Sequence, residues 1–472
     1  MEKKNTWETY SSKQLKELEK INAQYRDFLD NGKTERECID TIVNTIEKSG
    51  YRELESLIKE GAALKTGDKV YSVWMNKSIA MFQIGRKPMT DGMNILGAHI
   101  DSPRLDVKQN PLYEDGGFAY LDTHYYGGVK KYQWVTIPLA IHGVIVKKDG
   151  TCVEINIGEN EDDPVFFVSD LLIHLAQEQL EKKAAKVIEG EALDIIVGNK
   201  PLLIDKKDKK KDEKEAGKEA VKAGVLDILK ETYDIHEEDF VSAELEIVPA
   251  GKAREAGFDR SMTLAYGQDD RVCAYTSMQA MLDSDVTDRT MCCILVDKEE
   301  IGSVGATGMQ SHFFENAVAE VMNLAGEYSE LNVRRCLAHS CMLSSDVSSA
   351  FDPTYASSFD KKNVAYLGGG MVINKFTGAR GKSGSNDANA EYLAHLRHIF
   401  DKAEVNFQTA ELGKVDLGGG GTIAYILALY GMNVIDSGVA VLNMHAPWEA
   451  TSKADIYETK CGYVAFLEKA CL

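Results

Sequence analysis

The sequence predicts an α/β fold, a central sheet covered by helices on both faces, with a β-rich domain inserted into it. Three observations carry this expectation. From about Ala253 onward, short apolar runs (MCCILV, VAYLGG, VNFQTA, GVAVLN) alternate with helical stretches, the pattern of a sheet buried on both sides. Three more β-rich runs, KVYSVWMN, SIAMFQIG and MNILGAHI, precede residue 107 and supply further strands. Between the two groups the texture changes, and at 472 residues the chain is too long for one ordinary core. The organisation expected is a split domain, residues 1–107 and 253–472, with residues 108–252 inserted.

The elements follow in order. Roughly the first 60 residues read as helical by periodicity. One helix starts after Thr34, an N-cap residue followed by acids, runs through CIDTIVNTIEKSG and stops at Gly50. In the inserted region YQWVTIPLAIHGVIVKKDG reads as short strands and DLLIHLAQEQLEKKA as helix. The charged segment Asp205 to Lys222 reads as a solvated loop or exposed helix, because acids interrupt its lysines.

Composition excludes several classes. An apolar fraction of 44% with 27% charged residues is that of a globular chain. No apolar run approaches the roughly 20 residues that span a bilayer, so no membrane partner is expected. The opening MEKKNTWETYSSKQ has no apolar core behind its lysines, which makes the cytoplasm the expected address. Lys plus Arg number 54 against 74 Asp plus Glu, a net charge of −20 that repels phosphate backbones and argues against nucleic acid. The nine cysteines are scattered, mostly in apolar runs and without a CxxC pair, so buried reduced thiols are expected rather than disulfides or a zinc ribbon.

Five short segments place potential metal ligands at the ends of apolar strands. In NILGAHIDSPRLDVK the run delivers His99 and, two residues on, Asp101; positions i and i+2 of a strand share a face, so Asp101 can orient the His99 ring while its other nitrogen binds a metal. His99 alone reads equally as a surface residue. AYGQDDRVCAY sets Asp269 beside Asp270 before a helix, a pair that either a cation or a helix N-terminus can neutralise. MCCILVDKEEIGSVGATG runs a buried strand into Glu299 and Glu300; one carboxylate can ligate a metal while its neighbour serves as general base. A solvated acidic strand end is the bland reading of the same pair. CMLSSDVSSAFDP offers Asp346, and VAVLNMHAPWEATSKAD ends a strand at His445. Two histidines with several carboxylates and no required cysteine suit zinc, cobalt or manganese in a hydrolytic site. The turn in VDLGGGGTIAYILA lacks a P-loop's Lys-Ser/Thr ending, so its glycines suit close backbone approach to a ligand rather than nucleotide binding. There is no GxSxG, and a serine mechanism has little support.

The series HIDSP, QDDR, DKEEIGS, SSDVSSAFDP and NMHAP, in this order across essentially the whole chain, resembles the aspartyl-aminopeptidase-like (M18) family of two-metal aminopeptidases, in a bacterial branch. The resemblance implies a zinc-peptidase-like mixed sheet, a catalytic split domain and an inserted domain that builds dimers. It implies two divalent ions per chain, zinc foremost with cobalt or manganese as alternatives. His99, Asp269, Glu300, Asp346 and His445 would be their ligands, with Asp269 bridging, Asp101 orienting His99 and Glu299 as general base. LLIHLAQEQ matches the family's dimerisation segment, so His174 would reach a neighbouring subunit's active site and hold the substrate carbonyl. Peptides would be the substrates, and tetrahedral dodecamers built from dimers the assembly.

The sequence departs from the family pattern in three places. Asp270 stands where relatives often have Asn. VINKFTGARGKSGSND replaces the stretch that acidic-specific relatives carry, although Lys375, Arg380 and Lys382 supply positive charge there, and THYYGGVKKYQW (Thr123 to Trp134) differs as well. A preference for acidic first residues therefore stays open. Two other functions also stay open: a related two-metal deacylase or carboxypeptidase, and a catalytically silent shell protein on the same fold.

Overall fold

A computed structural model of the chain describes residues 5–202, 219–378 and 380–471. By its internal contacts it divides into two units, one of residues 1–102, 253–444 and 448–472, the other of residues 103–252 and 445–447. The first division falls at Ser102–Pro103 because Arg104–Asp115 is one continuous strand of the second unit's sheet.

The first unit is built on a nine-stranded mixed sheet. At its centre, Thr290–Val296, Met93–His99, Cys341–Ser345 and Asn433–Gly438 lie side by side and parallel. Ser78–Gln83 joins antiparallel on one flank and Met371–Asn374 antiparallel on the other. Every residue of Met93–His99 and of Thr290–Val296 is buried, which is why these runs are mostly apolar rather than alternating. Alternate side chains still serve opposite faces. Leu96, Ala98 and Leu295 pack into the core shared with helices Ser12–Asp30, Glu35–Glu47, Gln268–Asp283 and Lys453–Lys469. Ile95, Ile294 and Met342 pack into a second core with helix Phe313–Leu324.

Thr34 caps the helix Glu35–Glu47 as its sequence predicts: its hydroxyl accepts from the Glu37 N–H while the Glu37 carboxylate returns the bond to the Thr34 N–H. A small second sheet in this unit holds Arg254–Ala256, Met262–Ala265, Glu449–Ser452, Ala440–Leu442 and Ser348–Ser349. VAYLGG does not form the expected strand. Ala365 makes a single bridge to Ala350, and positive φ at Gly368 (76°) and Gly370 (86°) bends the chain before the strand Met371–Asn374 begins.

The second unit is a six-stranded sheet, antiparallel throughout, on which helix Ala220–Tyr233 packs. DLLIHLAQEQLEKKA, expected as one helix, is broken into the single turn Ile173–Leu175 and two four-residue helices, Gln177–Leu180 and Ala184–Val187. Its leucines find no core: Leu172 is 54% exposed and Leu175 67%. Without apolar burial so short a stretch cannot sustain a long helix. Most of the charged segment Asp205 to Lys222 lies outside the described residues. Six of the nine cysteines are buried, and none of the nine forms a disulfide. Among the described residues no helix is long and apolar enough to cross a membrane.

Candidate metal centre

Three adjacent parallel strands end on one edge of the central sheet, and each hands the chain to a potential ligand. Met93–His99 ends in His99, Thr290–Val296 leads to Glu299 and Glu300, and Cys341–Ser345 leads to Asp346. The carboxyl ends of parallel strands are where open α/β sheets bind ligands, because the connections diverge there and leave a crevice. Asp269 and Asp270 join from the start of helix Gln268–Asp283, where both residues leave helical geometry.

The imidazole of His99 is 2% exposed and orders the site. Its Nδ1 lies 3.0 Å from the Asp101 carbonyl oxygen, which can only accept, so Nδ1 carries the proton. The Asp101 carboxylate Oδ1 stands 3.3 Å from the same nitrogen. Asp101 therefore faces His99 with both its backbone carbonyl and its carboxylate. The Asp101 carboxylate also accepts the Glu299 N–H (3.1 Å) and the Glu300 N–H (3.1 Å), holding the glutamate turn against the histidine strand.

The other ring nitrogen, Nε2, faces Asp269 Oδ1 at 3.4 Å and Glu299 Oε2 at 3.9 Å. Ligand atoms of His99, Asp269 and Asp346 all lie within 4.8 Å of one another, and carboxylate oxygens of Asp269 and Glu300 are equally close. Asp270 accepts the His99 backbone N–H on Oδ2 at 3.3 Å, while its buried Oδ1 has no hydrogen-bond partner.

The electrostatics agree. Burial pushes the carboxyls of Asp270 and Asp346 well above the usual carboxylate range; repulsion from Asp270 and Glu299 adds to the effect at Asp346. Burial alone would lower the His99 pKa, yet hydrogen bonds to Asp101 and Asp269 carry it well above its ordinary value. Each shift expresses one demand, for positive charge among these oxygens. An imidazole nitrogen among carboxylate oxygens is the donor set of a zinc-type hydrolytic centre, and the residues fit such an ion.

His445 and His174 belong to the second unit. The His445 ring Nδ1 sits 2.9 Å from the Gly128 carbonyl oxygen, which fixes that nitrogen as the donor. His174 is exposed in the turn Ile173–Leu175. In the first unit, Lys375 and Lys382 both reach Asp387, at 3.6 and 2.8 Å, and Lys382 also lies over the Phe376 ring. Lys375 and Lys382 are thus matched within their own loop.

Sequence reasoning did not single out three further residues. Ser102 donates its hydroxyl to the Asp269 carbonyl (2.6 Å), Arg271 donates Nε–H to the Ile100 carbonyl (3.1 Å), and Glu449 accepts the Asp269 N–H (3.0 Å). Ser102 and Arg271 stood inside the quoted motifs HIDSP and QDDR. Glu449 stood four residues beyond His445 in HAPWE; only its burial marks it out.

Residues 28–467 match the family model described as aminopeptidase I zinc metalloprotease (M18). The chain belongs to the M18 family. It is 64% identical over 466 residues to "Probable M18 family aminopeptidase 1" of Clostridium acetobutylicum, an alignment that covers 99% of this chain and 98% of that protein. Among solved structures it is similar to the M18 aminopeptidase of Thermotoga maritima, with TM-score 0.93, 44% identity and full coverage of both chains. It is also similar to aminopeptidase I of Clostridium acetobutylicum, with TM-score 0.90, 61% identity and coverage of 99% and 100%. M18 membership makes the chain an aminopeptidase, a hydrolase, on an α/β fold of mixed sheets flanked by helices. It also implies a divalent metal, zinc in the family's description.

Proposed function

We propose that the chain is a two-metal, cytoplasmic aminopeptidase that removes amino-terminal residues from peptides. His99, Asp269 and Asp346 would hold one ion; Asp269, Glu300 and His445 would hold the other. The observation that carries this is the Nε2 of His99 facing Asp269 and Glu299, with Asp346 in the same cluster. Bound divalent ions supply Lewis acidity toward the scissile carbonyl and make water acidic near neutral pH.

The chain's own residues do the rest. Glu299 stands at the cluster's edge with its backbone pinned to Asp101, so its carboxylate is positioned to take a proton from the attacking water and return it to the leaving amine. Asp101 holds the His99 ring in the tautomer that leaves Nε2 available. The carboxylates around the cluster favour a substrate's free ammonium terminus over an acylated one, which separates an aminopeptidase from a deacylase or carboxypeptidase on the same ligands.

Assembly belongs to the same reading. The exposed run Leu171, Leu172, Ile173 and Leu175 around His174 is an apolar patch of the kind that partner subunits cover. A structural neighbour of 19% identity, yeast mApe1, was solved as a dodecamer. On this reading the chain assembles as a dimer-based tetrahedral dodecamer, with His174 lent to a neighbour's site. An acidic first residue is the specific alternative for substrate choice; the pairing of Lys375 and Lys382 with Asp387 counts against it.

The test joins elemental analysis with hydrolysis of a panel of aminoacyl anilides and their amino-acetylated twins, before and after chelation. About two ions per chain are expected, with chelator-sensitive release from the free amines only. One ion per chain, or turnover of the acetylated twins, would overturn the reading.

A further inference from the structure

Asp269 brings ligand atoms close both to His99 and Asp346 and to Glu300, and its backbone is irregular. At φ −81° and ψ 108° it lies outside the helix whose first turn it opens, and Asp270 follows at φ −113° and ψ 26°. A residue at a helix start has no helical acceptor for its N–H, and a buried peptide N–H or C=O left unpaired is costly. Two side chains take these groups. Ser102 donates to the Asp269 carbonyl at 2.6 Å, and Glu449 Oε2 accepts the Asp269 N–H at 3.0 Å.

Glu449 is itself held tightly. It is 1% exposed and opens the strand Glu449–Ser452, opposite Ala265 of Met262–Ala265. The Gln268 side chain donates to the Glu449 carbonyl at 2.6 Å and accepts from the hydroxyls of Thr451 (2.6 Å) and Tyr25 (3.2 Å). The residue before Asp269 is therefore bolted to the Glu449 strand, and the Glu449 carboxylate passes that rigidity to Asp269. A charged acceptor grips an N–H about twice as strongly as a neutral one.

We propose that Glu449 is a positioning residue for the metal centre: by accepting the Asp269 N–H from a rigid strand, it fixes the carboxylate that ligates the ion. This rests on Asp269 being a ligand, as set out under the proposed function. Groups that orient ligands from behind are worth about 10- to 100-fold in metal affinity when removed.

The full-length protein is stripped of metal, and zinc affinity is titrated against a chromogenic chelator for wild type, Glu449→Ala, Glu449→Gln and Asp269→Ala. The melting temperature of each stripped protein is recorded alongside. Glu449→Ala is expected to bind zinc about 10- to 100-fold more weakly, and its metal-free melting temperature is expected to fall as well, because the buried Asp269 N–H loses its acceptor. Glu449→Gln keeps an oxygen acceptor and is expected within roughly threefold of wild type. Asp269→Ala is expected to lose the ion. Wild-type affinity in Glu449→Ala, with Asp269→Ala still defective, overturns the positioning role alone. Wild-type affinity in Asp269→Ala overturns the ligand assignment, and the positioning role with it. Should Glu449→Ala fail to fold, Glu449→Asp, whose carboxylate is withdrawn by one methylene, replaces it. Affinity equal to that of Glu449→Gln overturns the role, and affinity about tenfold lower supports it.

Discussion

Both units of the chain bury ionisable side chains, and they neutralise them in opposite ways. In the second unit, Arg104 sets its Nε 2.8 Å from Asp106 and 3.2 Å from Glu246, with the guanidinium over the Tyr126 ring. His142 meets Glu159 at 3.0 Å on the same sheet. Arg104 and His142 each face a carboxylate of the fold itself, so the cluster is closed. In the first unit, one imidazole, His99, is surrounded by Asp101, Asp269, Asp270, Asp346 and Glu299. That cluster is open, and the cation it calls for comes from outside. Buried charge by itself does not mark a site; an excess of one sign does.

The comparison can be broken at its largest expected effect by Glu299→Gln. The variant is expected to retain its metal by elemental analysis while activity falls by about 10²- to 10⁴-fold. Full activity would remove Glu299 from the chemistry. On the closed side, Arg104→Met leaves Glu246 buried with its partner gone and is expected to cost about 3–5 kcal/mol in denaturant unfolding. Its zinc content should stay at the wild-type value, and a loss of zinc would mean the two clusters are not independent.

Chelation tests the open cluster alone. Removing the ion forfeits about 3 kcal/mol of stability when free zinc is held roughly 100-fold above its dissociation constant. A calorimetric transition unmoved by chelator would mean that the carboxylate excess is neutralised without an ion.

A last test concerns Asp455, a buried carboxyl that belongs to neither case. Its oxygens accept the N–H groups of Gly368 (2.9 Å) and Gly370 (2.7 Å), and burial raises its pKa to about 8. The folded protein holds a proton that the unfolded chain releases near pH 4, so stability falls as pH rises between about 4 and 8 and levels off above. Asp455→Asn should be less stable near pH 5, because an amide meets only one of the two N–H groups with an acceptor. Its stability should also decline less with pH, by up to about 1.4 kcal/mol per unit. Parallel pH profiles by chemical denaturation would show that Asp455 is ionised in the fold.

Much of the first unit was legible because its rules are local. The runs MNILGAHI and MCCILV are mostly apolar and buried at every position, as a strand covered on both faces requires, and each holds or soon leads to a candidate ligand. Thr34 with Glu37 announces a capping box within four residues. What failed depended on partners far along the chain. DLLIHLAQEQLEKKA carries helical periodicity, but the fold gives its leucines nothing to pack against, and propensity alone does not hold so short a helix. VAYLGG has strand composition, but its glycines turn the chain before pairing can extend.

By itself the sequence determined which residues could ligate a metal, the family they belong to and the alternation that builds a helix-covered sheet. Those are properties of residue type and short spacing. Only the tertiary structure decided that His99, Asp269 and Asp346, up to 247 positions apart, bring ligand atoms within 4.8 Å. It alone decided that Nδ1 of His99 is spent on the Asp101 carbonyl, and that Glu449 and Ser102 hold Asp269 by its backbone. Strand order sets these distances, and hydrogen bonds to main-chain atoms leave no mark on which side chain the sequence carries.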